Sequence, residues 1–164
     1  LKSMQALSGD DTEMGQAFNT LAKLAGATDV PTARAEYDGL FIGMGRGELL
    51  PYASYYLTGF LNEKPLAKLR NSMKELGIAR SDEVKEPEDH IGSLLEMMSG
   101  LITGSYGAPG SVATQKEFFG THIEPWAGHF FKDLEEAELS RLYQPVGTIG
   151  RLFIGIETDA FSME

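Results

Sequence analysis

The chain contains no cysteine. This excludes a disulfide framework, a thiolate zinc site, a cysteine-ligated iron–sulfur cluster and a cysteine nucleophile, and it fits a reducing compartment. Long apolar runs are also missing. A bilayer span needs roughly 20 such residues, and Leu40-Phe41-Ile42-Gly43-Met44 falls far short. Leu1-Lys2-Ser3-Met4-Gln5 has no apolar core followed by a cleavage site, so no signal peptide is visible. Basic residues are in deficit: 14 Lys+Arg stand against 24 Asp+Glu, for a formal net charge of -10 and a pI near 4.8. Such a surface repels nucleic acid and anionic membrane, so neither binding to nucleic acid nor stable membrane insertion is expected. It favours a cationic partner, although solubility alone would also account for it. Alternating strand patterns and internal repeats are absent.

What remains is a chain of 164 residues with 42% hydrophobic and 23% charged content, the balance of one soluble globular domain over 1–164. Its periodicity is helical nearly throughout. Met14, Ala17, Phe18, Leu21 and Leu24 recur in steps of three and four after a polar Asp10-Asp11-Thr12 start. Pro31 opens a segment in which Tyr37, Leu40 and Phe41 share a face, and Gly43-Met44-Gly45-Arg46-Gly47 breaks it as a flexible connection. Tyr52, Tyr55, Tyr56 and Phe60 fall on a short helix. Leu66, Leu69, Met73 and Leu76 stripe the next, which Gly77 ends. A polar connector lies near 79–87, and Pro87 starts the most regular helix, with Ile91, Leu94, Leu95, Met98, Leu101 and Ile102. Pro125 opens a helix bearing Trp126, Phe130, Phe131 and Leu134. Val146, Ile149, Phe153 and Ile156 stripe the last. The pattern predicts an all-α fold, a single compact bundle of roughly seven or eight helices.

Few residues carry recognisable chemistry. The Gly43–Gly47 run lacks the Lys-Ser/Thr ending of a phosphate loop and follows a helix rather than a strand. His122, His129 and Asp133 lie at helical spacings, but no Glu-x-x-His or His-Glu-x-x-His pair accompanies them, so no metal site and no cofactor are expected. The most unusual stretch is Glu86-Pro87-Glu88-Asp89-His90-Ile91. Glu88 and Asp89 would suit the positive end of the helix that follows, whereas a protonated His90 would not. The same carboxylates would equally form an acidic lip for guanidinium groups, because carboxylate–Arg pairs are strong and directional. The residues leave both readings open.

Leu49-Leu50-Pro51-Tyr52-Ala53-Ser54-Tyr55-Tyr56-Leu57, followed by Glu86-Pro87-Glu88-Asp89-His90-Ile91, resembles the TorD/DmsD/NarJ family of maturation chaperones for exported molybdenum enzymes. Glu36-Tyr37 with Leu40-Phe41, and Phe118-Phe119 through Trp126 to Leu134, extend the likeness over about 36 to 156. Tyr52 stands where a Trp is frequent and Ala53 where an acid is frequent. Family members usually carry further helices before the point where this chain starts, and it starts with Leu, so a missing N-terminal segment is expected. That segment would complete the bundle or exchange between protomers in a homodimer.

The resemblance implies a TorD-like, non-catalytic cytoplasmic protein. It would bind the twin-arginine signal peptide or apoprotein of a molybdoenzyme and hold it until cofactor insertion. The positions it implies for peptide binding are Leu40, Phe41, Pro51, Tyr52, Ser54, Tyr55, Pro87, Glu88, Asp89 and His90. The competing expectation is a nucleotide- or metal-dependent hydrolase using His90 or the His122/His129 region.

Overall fold

The computed structural model describes residues 1–80 and 84–163. Eight α-helices lie among the described residues and no strand, so the chain is all-α. None of these helices is long and apolar enough to cross a membrane. Residues 81–83 of the expected 79–87 connector lie outside the described residues.

The chain divides into two compact units. The first comprises Leu1–Leu50 and Gly128–Ala160, and the second Pro51–Ala127 with the residues from Phe161. In the first unit, α1 (Glu13–Ala27) starts where Thr12 accepts a hydrogen bond from Gly15 N at 3.1 Å, and it buries Ala17, Leu21 and Ala25. Leu21, Ala25 and Leu142 form a small core against which Leu24, Val146 and Ile149 pack. In α2 (Val30–Tyr37), Asp29 accepts from Thr32 N at 2.8 Å, and Pro31 sits in the first turn, where its missing N–H costs nothing.

The helix then widens into a π-type turn at Asp38–Ile42, closed by Gly43 N donating to Asp38 O at 2.7 Å. This turn rotates Leu40 into full burial, while Phe41 stays half-buried between Tyr37 and Tyr143, at ring distances of 5.3 and 5.5 Å. The glycine run that follows is not the flexible connection expected of it. Glu48 N and Leu49 N donate back to Gly39 O and Leu40 O at 3.2 and 2.8 Å, and a Cβ on Gly43, at φ 59°, would overlap Arg46 O.

Two carboxylates fix the segment between α7 (Glu124–Glu136) and α8 (Gln144–Ser162). Glu48 accepts from the backbone N–H groups of Glu138 and Leu139, and Glu36 from those of Arg141 and Tyr143. The apolar stripe expected on α8 is only half right. Phe153 and Ile156 are exposed, and the buried face is Pro145, Gly147, Thr148, Gly150 and Ile154. Close approach to α7 is the cause, since a Cβ on Gly150 would overlap the Phe131 ring.

The second unit holds α3 (Ala53–Thr58), α4 (Lys64–Glu75), α5 (Ile91–Thr103), α6 (Val112–His122) and the first turn of α7. Tyr52 and Phe60, expected on α3, flank it instead. Pro87 does not start a helix either: Pro87–His90 is a turn, with His90 N donating to Pro87 O, and α5 begins at Ile91. Leu66, Leu69 and Met73 of α4, Leu94, Met98 and Leu101 of α5, and Phe118 and Phe119 of α6 are buried.

Candidate functional site

The two sequence motifs of the second unit meet through their backbones. Tyr52 and His90 form an isolated antiparallel bridge, in which Ile91 N donates to Pro51 O at 2.9 Å and Ala53 N to Asp89 O at 3.0 Å. Each segment immediately precedes a helix, so the bridge sets the starts of α3 and α5 side by side. Helix starts leave amide N–H groups without intrahelical partners. Here both are capped, but not in the way the order of residues suggests. Asp89 does not cap the helix that follows it. Its Oδ2 accepts from Ser54 N at 2.8 Å and Ser54 Oγ at 2.5 Å, capping α3 from a distant point in the chain. His90 caps α5, its Nδ1 accepting from Gly92 N at 3.0 Å.

That cap explains a histidine beside a positive helix end: the ring is used as a neutral acceptor. Burial lowers the pKa of His90, against the opposing pull of Glu86, Asp89 and Glu96. The Tyr52 ring stands edge-on to the His90 ring at 5.2 Å, and its hydroxyl donates to the Glu86 carboxylate.

Glu88 is 7% exposed and already neutralised. Arg70 of α4 donates through Nε and Nη2, the shortest contact being 2.8 Å, and Arg80 lies 3.8 Å away. Burial would raise the Glu88 carboxyl, but the Arg70 hydrogen bonds, a backbone hydrogen bond and the Arg70 and Arg80 charges together hold the pKa below its ordinary value. Asp89 is 1% exposed, and its Oδ1 receives no hydrogen bond. A buried acceptor left unmet costs about 1–3 kcal/mol, so this atom marks a place where the fold has traded stability.

The predicted site residues therefore sort into three groups. Pro51, Tyr52, Ser54, Glu88, Asp89 and His90 are brought together by the bridge and its caps, with Pro87 in the turn before His90. Tyr55 is half-buried beside Tyr56, whose ring in turn lies 5.4 Å from that of Trp126. Leu40 and Phe41 belong to the first unit, Leu40 as a fully buried core residue.

Residues outside the expected set complete a mainly acidic hollow of about 130 Å³, in which Glu86, Glu88 and Glu96 share walls with Arg80, Met73, Val84 and Met97. Glu86 and Glu96 have no Lys or Arg partner among the described residues. Glu96 has no motif to announce it.

The histidines do not assemble into catalytic machinery. Buried His122 has Nε2 2.9 Å from Ser72 Oγ, and burial, helped by the Lys68 charge, pushes its pKa down to about 4. His129 is exposed. Among the described residues, no group of three His, Asp or Glu side chains is placed to hold a metal.

Residues 8–132 match the family described as nitrate reductase delta subunit, and the chain belongs to that family. It is similar to the chaperone protein TorD of Vibrio cholerae, 27% identical over 161 residues, covering 94% of this chain and 72% of that protein. The TorD of Photobacterium profundum is 43% identical over 70 residues, 42% of this chain and 32% of its own length. For Vibrio atlanticus the values are 27% over 138 residues, 79% and 64%. The chain thus spans between about a third and under three quarters of these relatives.

Proposed function

We propose that the protein is a cytoplasmic chaperone that binds the twin-arginine signal peptide, or the apoprotein, of a molybdenum-containing oxidoreductase and retains it until the cofactor is inserted. Family membership and relatives named as chaperones support the class. The observation that carries the peptide reading is the acidic hollow beside the Tyr52–His90 bridge. It offers Glu86 and Glu96, which have no Lys or Arg partner among the described residues, next to methionine and valine walls. A twin-arginine peptide presents two guanidinium groups beside an apolar run, and carboxylates next to a greasy wall are its chemical complement. Methionine walls adapt to different side chains, as a receptor for variable leader sequences needs.

In this reading Glu86 and Glu96 receive the arginines. Glu88, held closely by Arg70 and more loosely by Arg80, can exchange Arg80 for an incoming guanidinium. Asp89, Ser54 and His90 are positioning residues that keep the two helix starts in register. Pro51, Tyr52 and Pro87 shape the turn that carries Glu86. Retention needs no bond to be made or broken, because a chaperone that binds only the unfinished client acts by mass action.

The test is calorimetric titration of the protein with a synthetic peptide bearing Arg-Arg before an apolar run. Micromolar or tighter binding is expected. Changing both arginines to lysine, or combining Glu86→Gln with Glu96→Gln, should weaken it at least about tenfold, roughly 1.4 kcal/mol. No binding, or affinity indifferent to both changes, sinks the assignment.

A further inference from the structure

A second hollow in the same unit shares no lining residue with the acidic one. It measures about 330 Å³, and Leu57, Pro65, Leu69 and Leu94, from α3, α4 and α5, give it apolar walls. Two features set its chemistry. Asp89 lines it, buried, with one carboxylate oxygen that meets no donor. Lys64 and Lys68, exposed and one turn apart on α4, also line it, and neither has an acidic partner among the described residues. Two unpaired lysines at one mouth are notable in a chain of net charge -10. Leu57 of the lining is 44% exposed, and Phe60 and Leu61, which fall in the chain between the lining residues Thr58 and Lys64, are 70% and 41% exposed. Exposed apolar side chains grouped beside a pocket mark a surface that meets another protein.

We propose that this hollow is a second docking site, which takes a tyrosine side chain from an acidic segment of a partner protein. The phenol ring fills the apolar space, its hydroxyl donates to Asp89, and the flanking carboxylates pair with Lys64 and Lys68. Each part follows from the lining. A guanidinium or ammonium tip would satisfy Asp89 but face two lysines on the way in, so a neutral donor is favoured. A phenylalanine would fill the space and leave the carboxylate oxygen unmet. A basic flank would meet two lysines at this mouth, whereas an acidic one pairs with them at contact. Because the lining is separate, the site is independent of the twin-arginine reading.

Fluorescence anisotropy of the full chain with dye-labelled peptides tests it. The probe is a peptide with a central Tyr flanked by Glu and Asp; its partners replace Tyr with Phe, or the acids with Lys. Saturable binding of the probe is expected, with at least about tenfold loss for either replacement and for the Lys64→Glu, Lys68→Glu double variant. Both lysines are exposed, so this variant should melt like the parent. Excess twin-arginine peptide should leave the probe bound. Absence of probe binding, equal binding of the Lys-flanked peptide, equal binding by the double variant, or displacement by the twin-arginine peptide each overturns the proposal. Failure of the twin-arginine peptide to bind anywhere would leave these readings unchanged.

Discussion

Asp89 is where the second unit concentrates its polar cost. One oxygen is saturated by Ser54, the other has no donor, and the side chain is buried at the wall of the larger hollow. Removing the Ser54 hydroxyl leaves a buried carboxylate with one bond fewer. Hydrogen bonds to charged groups are worth about 1.5–3 kcal/mol, so Ser54→Ala should lower the unfolding free energy by about that much in a urea titration. A loss under about 0.5 kcal/mol would mean that water replaces the hydroxyl freely.

His122 supplies the pH dependence. Its folded pKa of about 4 lies below the ordinary 6.5 of an unfolded chain, because burial and Lys68 disfavour the imidazolium. Between those values the unfolded state binds more protons, so stability rises with pH across the window and the contribution is lost as pH falls through about 4. His90, also lowered, acts with the same sign. Unfolding free energies measured at pH 4.5 and pH 7 should differ more in the parent than in His122→Gln. An equal difference in both would show that the carboxylates alone set the acid sensitivity.

At the scale of the helix, the start of α5 shows how local rules can be met by the wrong residue. Three carboxylates before an apolar helix read as caps for that helix. Asp89 instead reaches α3, Glu88 is held by α4, and the imidazole of His90 does the capping. His90→Ala should cost about 1 kcal/mol, and His90→Asn or His90→Asp should restore most of it, since either accepts from the same amide. Thermal melts of the three variants check this, and equal losses in all three would assign the ring's value to packing on Tyr52 instead. The same gap between pattern and packing appears at Leu40, which a π-type turn rotates into the core. It appears again on α8, where glycines rather than Phe153 and Ile156 face α7.

For the molecule as a whole, net charge is the governing quantity. At -10 the protein attracts a basic peptide before contact is made. Exposed charges further apart than the Debye length, about 8 Å at 0.15 M salt, are screened. Raising salt from 0.05 to 0.5 M should therefore slow association of a twin-arginine peptide by roughly an order of magnitude while changing dissociation little. Stopped-flow fluorescence separates the two rates. An association rate insensitive to salt would remove electrostatic steering from the account.

The all-α class, the helix count, most helix faces and the pairing of two motifs with one family were readable along the chain, because they rest on periodicity and on residue order. The helix cap at Thr12 was readable for the same reason, since donor and acceptor lie within three residues. The division into units at Leu50/Pro51 and Ala127/Gly128 was not, because it depends on which distant segments pack together rather than on any compositional change. Nor was the fate of the acids. Whether a carboxylate faces an arginine, a distant helix start or an open hollow depends on contacts across 18 to 35 residues of chain, as between Arg70 and Glu88 or Ser54 and Asp89. Local pattern carries no information about such contacts. Three-dimensional packing alone separates a spent carboxylate from an available one.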